Sequence, residues 1–165
     1  FLMNECNVST YALIGYQLDK TLSEHGTVSR GVCQVDANNN LVSINERTKI
    51  YRSDDVVIYE ENDQKIEVPG NSSVSMNFWC FHPSMFARTK ILFEQFIPAN
   101  KHNLKSEFFI PIIADEFIKE PGHVVKVIPT SSQWFGVTYK EDAPGVKKSI
   151  DDLVNQKAYP PSLWG

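Results

Sequence analysis

No glycine-rich loop occurs anywhere in the sequence. Its eight glycines stand apart, so no run of backbone N–H groups opens a helix in the way that cradles a phosphate. Cysteine is scarce: Cys6, Cys33 and Cys80 lie far apart with no C-x-x-C pair. That spacing is neither a zinc framework nor a disulfide scaffold, and buried reduced thiols are expected. His25, His82, His102 and His123 show no metal-ligand spacing. There is no G-x-S-x-G elbow and no catalytic-cysteine signature. No apolar run reaches the roughly 18 residues of a membrane span, and no secretory signal is visible at the start, so a cytoplasmic protein is expected. A basic excess is also missing. The net charge of −4 gives no electrostatic footprint for nucleic acid or for an anionic membrane.

What is present is ordinary for a globular domain: 42% hydrophobic and 22% charged residues over 165 positions, enough for one real core. The apolar run "YALIGY" (Tyr11 to Tyr16) predicts a strand buried on both faces. A short polar helix or turn follows from Leu18 to Ser23. Strands are expected at Val28 to Val35 and Leu41 to Ile50 around the turn "DANNN", because Asn and Asp tolerate left-handed backbone. A second hairpin, Val56 to Tyr59 with Lys65 to Val68, turns at "ENDQ", and Val74 to Phe81 reads as a core strand. Pro83, Pro111 and Pro144 each suit the start of a helix. Their apolar stripes are Met85, Phe86, Leu92, Phe93, Phe96 and Ile97; then Ile112, Ile113, Phe117 and Ile118; then Val146, Ile150, Leu153 and Val154. Val124 to Pro129 and Gln133 to Thr138 complete the strands. The pattern is one α/β domain over residues 1–165, with a mixed, mainly parallel sheet, flanking helices and inserted β-hairpins.

Polar residues cluster at the ends of these strands. Glu46 and Arg47 in "SINERTKI" are either a surface ion pair or a carboxylate for sugar hydroxyls beside a guanidinium for phosphate. Asn77 interrupts an apolar strand and must find backbone or ligand partners. Glu107 precedes a helix, where the dipole favours its charge. Trp134 belongs to the core or to a pocket wall. Gly136 interrupts "QWFGVTYKED", as glycine does where a ligand or another backbone approaches closely.

Taken in order, "SRGVCQVDANNNLVSINERT", "VSMNFWCFHPSMF", "KSEFFIPIIADEFI" and "QWFGVTYKEDAPGVKKSI" resemble the C-terminal half of bacterial sugar-1-phosphate nucleotidyltransferases, from about Tyr11 to Trp164. The resemblance implies the C-terminal part of a nucleotide-diphospho-sugar transferase fold, a fragment lacking the N-terminal nucleotide-binding half. It places Gly31 and Val32 in the sugar-site strand, Glu46 as acceptor for sugar hydroxyls and Arg47 on the sugar phosphate. Asn77 and Glu107 then belong to the sugar side, with Trp134 in the strand end beside them. The complete enzyme would take a sugar 1-phosphate and a nucleoside triphosphate with Mg²⁺. Gly136 stands near the family's magnesium aspartate and Asp142 comes later in the same segment, so the metal ligand is missing or displaced. Alternatives are a non-catalytic sugar-phosphate-binding module and a cytidylyltransferase for a phosphate such as phosphocholine. A half-fold would leave Tyr11 to Tyr16 as an exposed edge open to self-association.

Overall fold

The computed structural model describes residues 1–162. Seven strands make one sheet: β1 (Thr10–Gln17), β2 (Val28–Val35), β3 (Leu41–Ser53), β4 (Val56–Glu61), β5 (Gln64–Glu67), β6 (Ser73–Cys80) and β7 (Val124–Pro129). Three α-helices, α1 (Met85–Asn100), α2 (Ile110–Phe117) and α3 (Asp142–Asn155), and a short 3₁₀ helix at Leu18–Thr21 accompany them among the described residues. The strand order is β5-β4-β3-β2-β6-β1-β7.

The architecture is mixed α/β, but the sheet is not mainly parallel. Among the described residues only β1 and β7 run parallel; the other neighbouring pairs are antiparallel. Turn chemistry is the reason. Asp36 accepts N–H bonds from Asn38 and Asn40 at 2.8 Å each, and Asn39 takes φ 58°, folding β2 straight back into β3. Asn62 and Asp63 both have positive φ, the two-residue arrangement that matches hairpin twist between β4 and β5. Strands joined so tightly can only be antiparallel.

β1 is not an edge. It lies between β6 and β7, with Tyr11, Ala12 and Leu13 buried, so the expected self-association through it has no open strand to use. The edges of the sheet are β5 and β7.

Alternation along the strands sends side chains to two cores, one on each face. Tyr11, Leu13, Cys33, Leu41, Ile44, Val125 and Val127 pack against Ala114 and Phe117 of α2. Here the Tyr11 and Phe117 rings stack at 3.9 Å. Leu18, Val28, Ile50, Val57, Tyr59, Val68 and Val74 form the other cluster. All three cysteines are free; Cys33 is buried, whereas Cys6 and Cys80 are only half-buried.

Two expected elements differ. Gln133 to Thr138 is irregular rather than a strand, because the chain leaves the sheet where Thr130 N donates to Gly15 O. α1 forms as expected, yet none of its residues is buried. Phe86, Phe93 and Ile97 are exposed; Met85 packs partly against the Tyr11–Phe117 core, and the Phe93 and Phe96 rings lie with their centroids 5.3 Å from that of Phe108. α2 already covers that face of the sheet. In α3, Val146, Ile150, Leu153 and Val154 are half-buried on one side, as their spacing predicts. No helix among the described residues is long and apolar enough to cross a membrane.

Candidate functional site

The site begins where β2 and β6 part. They pair only at Gly31 with Ser75 and Val32 with Val74. Beyond Ser75, β6 bulges: Leu13 of β1 faces Trp79, but Gly15 faces Ser75, so the ladder carries extra β6 residues here. Asn77 sits in that bulge at φ 58°, a left-handed conformation that asparagine adopts more readily than most residues. The polar break in "VSMNFWCF" therefore has a backbone cause, and Asn77 N donates to Ser75 Oγ at 3.2 Å. The bulge also leaves the Asn77 side chain exposed.

The gap opens into a pocket of about 210 Å³ lined by Ser29, Arg30, Gly31, Glu46, Ser75 and Asn77, with Met76, Pro111 and Trp134 closing it. Four of the residues singled out in the sequence, Gly31, Glu46, Asn77 and Trp134, thus share one cavity. A Cβ on Gly31 would lie 3.0 Å from Ile44 Cδ1, so that side chain would have to give by a few tenths of an ångström. Glu46 is the cross-strand partner of Gly31.

Arg47 and Glu107 are not brought to the pocket. Strand alternation turns Arg47 away from Glu46; its guanidinium lies 4.7 Å above the Tyr59 ring and pairs with Glu61. Glu107 is exposed in the loop before α2. It is not the cap either, since α2 has Phe109 as N-cap and no side-chain cap bond.

Arg30 is the residue that sequence reading missed. It is only 8% exposed, and Thr21 and Ser29 hold it: Nε donates to Thr21 Oγ1 at 3.1 Å, Nη1 to Ser29 O at 2.7 Å, and Nη2 to Thr21 O. Trp134 covers it, the guanidinium carbon lying 5.2 Å from the ring centroid. Burial lowers its pKa, opposed by the charge of Glu46. The same partial desolvation raises the Glu46 carboxyl, opposed by Arg30. A signal was available: Val28, Arg30 and Val32 share one face of β2, so an arginine stood on an inward position.

Trp134 is fixed from several sides. Lys20 Nζ donates to Ser131 O at 3.0 Å, Trp134 N to Lys20 O at 3.4 Å, and Tyr139 Oη to Thr27 O at 2.8 Å. The indole folds back over its own chain, where a Cβ on Gly136 would lie 1.7 Å from the ring. Gly136 therefore makes room for Trp134.

Behind the indole lies a second cavity of about 320 Å³ that includes His25, Gly136, Glu141 and Asp142. Asp142 is already engaged. Its Oδ2 accepts from Tyr139 N at 2.8 Å and Thr138 N at 3.1 Å, and its Oδ1 from Ser23 Oγ at 2.9 Å. The Tyr139 N–H bond chiefly holds its carboxyl below the ordinary value. Among the described residues no group of three His, Cys, Asp or Glu side chains could hold a metal ion, and Asp142 serves as a turn lock. Both Asp142 oxygens are thus taken by donors of the protein itself. No family model matches this sequence, and neither does any curated protein.

Proposed function

We propose that this chain is the sugar-phosphate-binding portion of a nucleotidyltransferase that makes a nucleotide-sugar from a nucleoside triphosphate and a sugar 1-phosphate. The observation that supports this reading is the pocket between β2 and β6. Gly31, Glu46, Asn77 and Trp134, which the sequence resemblance assigns to the sugar side, line one cavity although they are distant in sequence.

The chemistry suits a polyhydroxylated ligand. Glu46 offers acceptor oxygens, the Asn77 amide both donates and accepts, and Trp134 gives an apolar wall for a sugar face. In this reading the chain binds and orients the acceptor. Attack on the α-phosphorus needs cationic groups against the developing charge, and these belong to the nucleotide-binding half of the complete enzyme.

Titration calorimetry tests the proposal. The chain should bind a sugar 1-phosphate, and Glu46→Ala and Trp134→Ala should each weaken binding by about tenfold, the cost of one charge-assisted hydrogen bond or one stacked wall. A chain that binds no sugar phosphate, or variants that bind like the wild type, would remove it.

A further inference from the structure

We propose that Arg30, rather than Arg47, holds the anionic group of the ligand in this pocket; this rests on the sugar-phosphate reading above. Arg30 is the cationic side chain that lines the cavity. Arg47, although it is the cross-strand partner of Arg30, does not line the cavity and is committed to Glu61 and Tyr59.

The hydrogen-bond inventory of Arg30 leaves room for a ligand. Nε, Nη1 and Nη2 each make one bond to Thr21 or Ser29. Each terminal nitrogen carries a second N–H, and these have no acceptor among the described residues. Arg30 and Glu46 influence each other electrostatically, yet no hydrogen bond or ion pair joins them among the described residues. A guanidinium this buried, with donors to spare on both tips, is organised to grip two oxygens of a phosphate. The indole of Trp134 over its face keeps water away and strengthens the attraction.

The pocket lining thus offers Arg30 for an anion and Glu46 for a hydroxyl. Its volume of about 210 Å³ is below the roughly 300–1,000 Å³ of sites for drug-sized ligands. The ligand class it fits is one sugar ring bearing one phosphate.

The test compares glucose 1-phosphate, glucose and inorganic phosphate by calorimetry, with indole fluorescence as a second readout. Arg30→Lys keeps the charge but loses the fork. It should bind glucose 1-phosphate and inorganic phosphate about tenfold more weakly, with glucose unchanged. Arg47→Ala should stay within about twofold of wild type for all three, as expected for an exposed ion pair. If Arg30→Lys does not fold, Thr21→Val replaces it. This near-isosteric change removes the acceptor that aims Nε, and it should weaken phosphate binding without affecting glucose.

Wild-type affinity for phosphate in Arg30→Lys, or in Thr21→Val where that variant stands in, overturns the assignment. So does loss of phosphate binding in Arg47→Ala; either result leaves the sugar-phosphate reading standing if glucose 1-phosphate still binds. Inorganic phosphate that binds through Arg30 while both glucose compounds fail overturns the sugar reading and upholds the anion site. Binding of none of the three overturns both.

Discussion

Glu46 carries a charge whose cost the pocket sets. Partial desolvation lifts its pKa above the usual 4.5, and Arg30 only partly offsets this. A raised carboxyl pKa favours the folded state below the unfolded value, and that contribution is lost as pH rises through the folded value. Ligand binding follows the opposite sign, since only the ionised carboxylate accepts two hydroxyl bonds freely. Affinity for glucose, which does not itself titrate here, should therefore fall on acidification with a midpoint above 4.5, and Glu46→Gln should flatten the profile. A midpoint below that value would contradict this account. Gly136 is the second residue whose role is local. Gly136→Ala drives a methyl into the Trp134 ring. The indole is the group that must move, so the variant should lose the Trp134 fluorescence response to ligand while its unfolding free energy changes by about 1 kcal/mol.

Among the helices, burial separates scaffold from surface. α2 supplies Phe117, fully buried and stacked on Tyr11, so Phe117→Ala should cost about 3–5 kcal/mol in denaturant unfolding. In α1, Ile91 is 58% exposed, and Ile91→Lys should change stability by about 0.5 kcal/mol or less. Similar costs for both would mean that α1 belongs to the core after all. The helices were legible in the sequence from their opening prolines and apolar spacing. Which stripe reached the core was not, because α1 and α2 offer similar stripes and only one lies against the β1–β7 side of the sheet. The strand expected at Gln133 to Thr138 failed for a related reason: its apolar residues serve as a pocket wall rather than a ladder.

For the molecule as a whole, the proposed function makes the two cores a frame for the pocket between β2 and β6, which takes the sugar phosphate and not the triphosphate. The sequence has no glycine-rich basic loop, and Arg30 is the one Lys or Arg side chain in the lining of the β2–β6 pocket, suited to a single phosphate. Pyrophosphate release with UTP, dTTP or CTP and a range of sugar 1-phosphates should therefore be absent for this chain. Sustained turnover with any pair would show that this chain carries its own triphosphate site. The exposed residues of α1, Phe86 at 73% and Ile97 at 51% among them, add apolar surface on the same side as α2.

The sequence by itself determined what is local. Turn residues such as Asp36 and Asn62 set the hairpins, alternation set the buried faces of β2 and β3, and Pro111 set the start of α2. These depend on φ preferences and on periodicity, which neighbouring residues carry between them. Tertiary structure alone decided what depends on distant partners. It placed β1 inside the sheet, since β6 and β7 arrive from far along the chain to pair with it. It held the Arg47 guanidinium on Glu61 and Tyr59, partners that the local pattern does not name. And it brought Trp134 over Arg30, a contact that no spacing in the sequence encodes, because it depends on where β7 ends and on the space that Gly136 leaves.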